Sequence, residues 1–309
     1  RHSGLDESNS LRVRRKLFDK VIRAFYGYLW KFKDQTDDCS TLPVNVQNNL
    51  HRGLSALGSV CSFNGADTEE VEGAGEGEAE GAIPPNPSTL TFRNFPSCCY
   101  SLFRFFLKKK KDVETRCSAV KAFGGLFVGK PRAMLLAQEE GIIEAVLCSI
   151  SEPQLLCDGI NSWSDILRRE EERVELMNNR KIMQSGGVEV SKQISGDQDS
   201  GGCLAGGVLG VHAQKLYELS LVSNVQIRSA CCGLIGRLLR QGLINPNDAV
   251  PGLLALQGDV GGVRAEALRL LLLELEKRPS ILNQKVGEGV RLCYHFLKRK
   301  NGGVGRGCS

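Results

Sequence analysis

This sequence predicts an all-α architecture: antiparallel helix pairs stacked into a superhelical solenoid, interrupted by disordered insertions. Three observations carry the prediction. Apolar residues recur at helical spacing along most of the chain, and strand-like alternation is scarce. Connections between the periodic segments are short except at two places. Finally, DVETRCSAVKAFGGL (Asp112–Leu126), NVQIRSACCGLIGRL (Asn224–Leu238) and DVGGVRAEALRLLLL (Asp259–Leu273) align on an arginine, which is the mark of an internal repeat.

Taken in order, the periodicity predicts helices over Lys16–Lys33, Val44–Cys61, Cys98–Lys108, Val113–Val128, Arg132–Ile150, Gln154–Met183, Leu204–Leu221, Val225–Gln241, Pro246–Leu256, Val260–Lys277 and Ile281–Arg299. The organisation expected from them is a basic N-terminal segment with helical repeats over 1–64, and an acidic Gly/Glu insertion with a Pro-rich linker over 65–92. Helical repeats ending in a long charged helix follow over 93–183, then a Gly/Ser-rich flexible insertion over 184–203. C-terminal repeats occupy 204–300, and 301–309 forms a tail. Asp67, Glu69, Glu70, Glu72, Glu76, Glu78 and Glu80 lie among Gly and Ala, a composition too poor in large apolar groups to offset chain entropy. Without those seven acids the net charge of +5 becomes +12. A basic body favours an acidic partner, nucleic acid among the possibilities.

The repeat has a physical logic. Asp or Asn stands four or five residues before Arg116, Arg228 and Arg264, in position to cap a helix by accepting a backbone N–H. A small residue follows three after each arginine (Ala119, Cys231, Ala267) and lets neighbouring helices approach. Proline comes 15 to 18 residues after each arginine, at Pro131, Pro246 and Pro279, and restarts the chain. Arg228 and Arg264 are 36 residues apart, and Arg116 and Arg228 are 112 apart, close to three such periods. The pattern resembles HEAT repeats, two-helix units of about 40–47 residues that bury their apolar faces by stacking. The three arginines are expected to bond the preceding turn or a carboxylate of the next repeat.

Several chemistries are weakly supported. GGLFVGKP, Gly124–Pro131, carries G-x-x-x-x-G-K, yet Pro131 replaces the hydroxyl that would hold Mg²⁺, and a helix precedes the glycines where a strand is needed. Twelve cysteines include no C-x-x-C, and Cys117, Cys231, Cys232 and Cys293 fall in apolar helical patterns, so reduced thiols are expected and a zinc site is not. No run of about 18 apolar residues predicts a membrane span. His212 shares a helical face with Leu209 and Leu216 and reads as a satisfied core histidine. No Ser/His/Asp grouping stands out, so neither an enzyme nor a cofactor is expected. A chain that begins at Arg1 and ends in NGGVGRGCS reads as an internal or C-terminal piece of a longer protein.

RQGLINPNDAVPGLLAL, Arg240–Leu256, is more specific: a helix stops at Gly242, restarts at Pro246 and contains a second proline at Pro251. That order resembles the C-terminal HEAT region of the Nipped-B, or sister-chromatid cohesion loader, family. KLYELSLVSNVQIRSACCGLIGRLL upstream and GDVGGVRAEALRLLLLELEKRPSILNQKVGEGVRLCYHF downstream extend the likeness, and weaker matches reach back to KVIRAFYGYLWKFK. The insertions at 65–90 and 184–203 depart from it. The resemblance implies a nuclear, chromatin-associated, non-enzymatic scaffold. Such a scaffold binds cohesin (SMC heads or hinge and kleisin) and DNA without sequence preference, stimulates cohesin's ATPase and promotes its loading for sister chromatid cohesion. It also implies that the smaller loader subunit binds an N-terminal region not present here. The alternative is another HEAT or armadillo-type scaffold, such as a transport receptor or a phosphatase scaffold.

Four basic runs are candidate phosphate contacts: Arg12/Arg14/Arg15/Lys16, the turn Lys108, Lys109, Lys110, Lys111, the pair Arg168/Arg169, and Lys298, Arg299, Lys300. For the lysine turn, a solvated turn between paired helices is the preferred reading. Arg168 and Arg169 precede Glu170, Glu171, Glu172 and Glu175, which points to ion pairs along the helix.

Overall fold

The computed structural model describes residues 19–33, 39–63, 84–184 and 201–302, and among them it contains helix and no strand. The α-helices are α1 (19–30), α2 (Val44–Phe63), α3 (Phe95–Lys109), α4 (Val113–Gly129), α5 (Ala133–Glu139), α6 (Ile142–Leu147), α7 (Pro153–Gln184), α8 (Gly201–Val211), α9 (Ala213–Leu219), α10 (Val225–Arg240), α11 (Pro246–Ala255), α12 (Gly261–Lys277) and α13 (Ile281–Gly302). The acidic stretch Asp67–Glu80 and the basic run Arg12–Lys16 lie outside the described residues.

Two predicted helices are each divided. Arg132–Ile150 becomes α5 and α6, because Gly141 takes a left-handed φ of 68°, a conformation that a helix cannot continue through. Leu204–Leu221 becomes α8 and α9, and at the break the His212 N–H bonds back three residues to the Leu209 carbonyl, 3.1 Å away. Periodicity carried through both breaks because the flanking residues still bury one face.

The chain divides into two compact units, one ending at Ile142 and the other beginning at Ile143. In the first, α2 and α4 run parallel with α3 packed beside α4. Glycines set the spacing. A Cβ on Gly58 would lie 2.6 Å from the Ala122 Cα, and Cβ atoms on Gly125 and Gly129 would fall on the carbonyl oxygens of Gly58 and Cys61. The backbones of the two helices are therefore in direct contact. Tyr100 and Phe103 of α3 meet Phe123 of α4 edge to face, with ring centroids 5.3 and 5.7 Å apart. The Pro-rich end of the predicted insertion is packed: Tyr26 Oη donates to the Pro85 carbonyl at 2.8 Å, Trp30 Nε1 donates to Pro84 at 3.1 Å, and Leu90 is buried.

In the second unit α7, α10 and α12 form one layer, while α9, α11 and α13 form the other. Gly236 faces Leu270 across α10 and α12, and Leu254 faces Gly289 across α11 and α13. Those facing pairs are 34 and 35 residues apart, so successive helices of a layer repeat at nearly the same register. The aligned small residues Ala119, Cys231 and Ala267 are all fully buried. Two of the three predicted caps form: Asp112 accepts the Thr115 N–H at 2.9 Å, and Asn224 accepts the Gln226 N–H at 2.8 Å. Asp259 does not cap. Val260 occupies the N-cap position of α12, and the Asp259 carboxylate serves Arg228 instead.

Candidate nucleic-acid interface

Helix α3 ends because Lys110 leaves the helical region for extended backbone (φ −82°, ψ 137°), after which Asp112 starts α4. An extended residue sends its side chain to the opposite side from its neighbours. Lys108, Lys109 and Lys111 are accordingly exposed. Lys110, by contrast, is only 3% exposed, donates its Nζ to the Phe32 carbonyl at 3.0 Å and lies 5.7 Å from the Phe105 ring centroid. The expected four-lysine surface is thus a three-lysine surface with a structural lysine in its middle.

The second basic run is divided in the same way. Lys298 and Arg299 are exposed on α13. Lys300 turns inward, bonding Asp259 Oδ1 at 3.0 Å, with its Nζ 5.8 Å from the Phe296 ring centroid. Asp259 is the hub. Arg228 Nε reaches Oδ2 at 2.6 Å and Nη2 reaches Oδ1 at 2.8 Å, while Nη1 holds the Val222 and Ser223 carbonyls at 3.0 and 2.6 Å. The expectation for Arg228 is a bond to the preceding turn or to a carboxylate of the next repeat, and the structure shows both. Burial would push the Asp259 carboxyl up, but hydrogen bonds from Arg228, Lys300 and the Val260 N–H more than offset it and hold it below the ordinary carboxylate value. Arg264 departs from the expectation: it is exposed and has no hydrogen bond among the described residues. Its spacing from Asp259 is five residues, not four, which places it on the outer face of α12.

The remaining sequence candidates fall into place by packing. Gly124, Gly125 and Gly129 of the G-x-x-x-x-G-K stretch lie inside α4, where Gly125 and Gly129 serve the contact with α2; no phosphate cradle forms there. Arg168 pairs along its helix with Glu172 at 2.6 Å. Burial, with the adjacent Cys99, pushes the Cys98 thiol up to about 12, which keeps it protonated and inert. Among the described residues no group of three or more His, Cys, Asp or Glu stands in a metal-binding arrangement. His212 corrects the expectation of a satisfied histidine: its buried Nε2 has no hydrogen-bond partner among the described residues, and burial lowers its pKa against the opposing pull of Glu144.

Sequence reasoning missed one polar cluster entirely. Tyr100 Oη donates to Glu140 Oε2 at 3.0 Å and Arg104 Nη1 donates to Oε1 at 2.7 Å, fastening α3 to the turn that ends α5. Nothing local signals it, since Glu140 lies 40 residues after Tyr100.

Residues 205–307 match the family model described as the sister chromatid cohesion C-terminus, Nipped-B_C. The chain is 23% identical over 274 residues to Nipped-B-like protein B of Danio rerio, an alignment covering 87% of this chain and 9% of that protein. It is 21% identical over 281 residues to the Nipped-B-like protein of Homo sapiens, covering 90% of this chain and 9% of that protein. Against the Nipped-B-like protein scc-2 of Caenorhabditis elegans, 96 residues align at 29% identity, which is 31% of this chain and 4% of that protein. The chain therefore spans less than a tenth of the length of these relatives. The chain resembles the Nipped-B family across nearly its whole length, and from residue 205 onward it matches that family's C-terminal region.

Proposed function

We propose that this chain is part of a HEAT-repeat solenoid of the cohesin-loading type, a non-enzymatic scaffold acting on chromatin in the nucleus. One observation carries the reading: residues 205–307, which match the sister chromatid cohesion C-terminus, fold as two layers of parallel helices repeating every 34 to 35 residues. Such stacking supplies an extended surface, which suits a protein that holds large partners together. In this proposal the partners are cohesin's SMC and kleisin subunits and DNA, and the protein stimulates cohesin's ATPase during loading onto chromosomes. The smaller loader subunit binds elsewhere in the longer protein. The test is cohesin ATPase turnover with the full-length protein, with and without residues 204–300. Loss of stimulation on deletion is the expected result, and unchanged turnover would overturn the proposal.

DNA contact in this proposal falls to Lys108, Lys109 and Lys111 in the first unit and to Lys298 and Arg299 in the second. Changing Lys108, Lys109 and Lys111 to alanine should weaken binding of any duplex sequence alike, because phosphate carries no base identity. The slope of log affinity against log salt should fall by about 0.9 for each phosphate contact removed. Lys110→Ala should behave differently, lowering the melting temperature through loss of its buried bond to Phe32 while leaving the salt slope unchanged. Equal effects of the four single substitutions on DNA affinity would contradict this division.

A further inference from the structure

The groove between α7 and α10 in the second unit has a chemistry that scaffold packing does not require. It encloses about 630 Å³ and is lined on one side by Gln154, Asp158 and Asn161 and on the other by Gln226, Ser229 and Gly233. Because α7 and α10 run parallel, these residues face each other along the groove from the N-terminal turns of both helices. The lining ends at Ser164, whose Oγ accepts a hydrogen bond at 2.7 Å from Nε of Arg237, a residue outside the lining.

Gly233 is the informative residue. Some helical glycines here are jammed and others open: a Cβ on Gly236, on the buried face one turn later, would lie 2.9 Å from Leu270, whereas Gly207, Gly262 and Gly287 have open space. A Cβ on Gly233 would meet nothing within 4 Å. Glycine inside a helix costs about 1 kcal/mol relative to alanine, and helix packing gives no reason for it at this position. What it does is leave the backbone of α10 bare along one wall of the groove.

We infer that this groove binds an extended peptide segment of a partner protein through the peptide's backbone. Carboxamides at Gln154, Asn161 and Gln226 each offer both a donor and an acceptor, the pairing that a peptide N–H and C=O require. From Gln154 to Ser164 the groove spans roughly 15 Å at 1.5 Å per helical residue, room for about four or five extended residues at 3.3 Å each. Neither lysine nor arginine is among the described residues lining it, and Asp158 contributes a carboxylate, so phosphate is disfavoured and a basic residue in the peptide is favoured. The bare backbone at Gly233 allows the peptide main chain to approach closely.

The test is a random dodecapeptide display library panned against the 309-residue chain, with selected peptides measured by fluorescence polarisation. Gly233→Leu starts from a Cβ position with nothing within 4 Å, so it should fold, which a melting temperature checks, and Gly233→Ala serves as a second, smaller variant. Selected peptides should carry a Lys or Arg and lose at least about tenfold in affinity for Gly233→Leu, with a smaller loss for Asn161→Ala. N-methylating the central peptide amides should abolish binding. The inference is overturned if panning yields no binder, or if the binders hold Gly233→Leu as tightly as the parent. A labelled single-stranded DNA that binds the parent and loses affinity for Gly233→Leu would also overturn it, by assigning the groove to nucleic acid. None of these readouts involves cohesin, so they stand or fall apart from the loading proposal.

Discussion

Gly125→Val is expected to destabilise the first unit by more than about 3 kcal/mol, beyond the usual range for an overpacked core position. The reason is the kind of neighbour it meets. A Cβ there falls on the Gly58 carbonyl oxygen, a backbone atom that no rotamer change can move aside. Relief requires separating α2 from α4, which also breaks the Gly129 contact and uncovers the buried faces carrying Leu54, Leu57 and Phe127. Chemical denaturation followed by circular dichroism would measure the loss. The control is Gly233→Ala, where the added Cβ meets open space and the substitution should stabilise by roughly 0.5–1 kcal/mol. A Gly125→Val protein that melts with the parent would show that the two backbones are not in contact.

Removing the Asp259 carboxylate should be comparably severe. Arg228 is 4% exposed, and with Asp259→Ala its guanidinium keeps only the Val222 and Ser223 carbonyls against a charge it cannot shed. Breaking a buried pair by taking one partner typically costs about 3–5 kcal/mol. Lys300 loses its partner too, although at 34% side-chain exposure water can replace that bond. Arg228→Met should cost less, because Asp259 keeps Lys300 and the methionine fills apolar space. The same cluster sets a pH dependence. The Asp259 carboxyl is held below its unfolded value, so its contribution to stability is complete above the ordinary aspartate range, about 3.9. It is lost progressively as pH falls through the folded value. Melting temperatures of parent and Asp259→Ala should therefore converge on acidification, and a constant gap would mean the carboxylate is not the group responsible.

Legibility followed the range of the interactions involved. Helix positions, the Asp112 and Asn224 caps, the buried small residues at Ala119, Cys231 and Ala267, and the family resemblance centred on Arg240–Leu256 were readable because each depends on residues within a turn or two of one another. Even the role of Arg228 was readable, since a repeat predicts its neighbour. The breaks at Gly141 and His212 were not, because apolar periodicity continues across them.

What the sequence by itself determined, then, is that the chain folds into helices, which faces they bury and which family they resemble. Periodicity and capping are local, and they survive without knowledge of neighbours. Only the tertiary structure decided which basic residues face solvent and which are consumed. Lys110 answers to Phe32, 78 residues away, and Lys300 answers to Asp259, 41 residues away. It also separated two kinds of helical glycine, Gly125 pressed on backbone and Gly233 open to a groove, which look alike in a sequence because the difference lies wholly in the helix opposite.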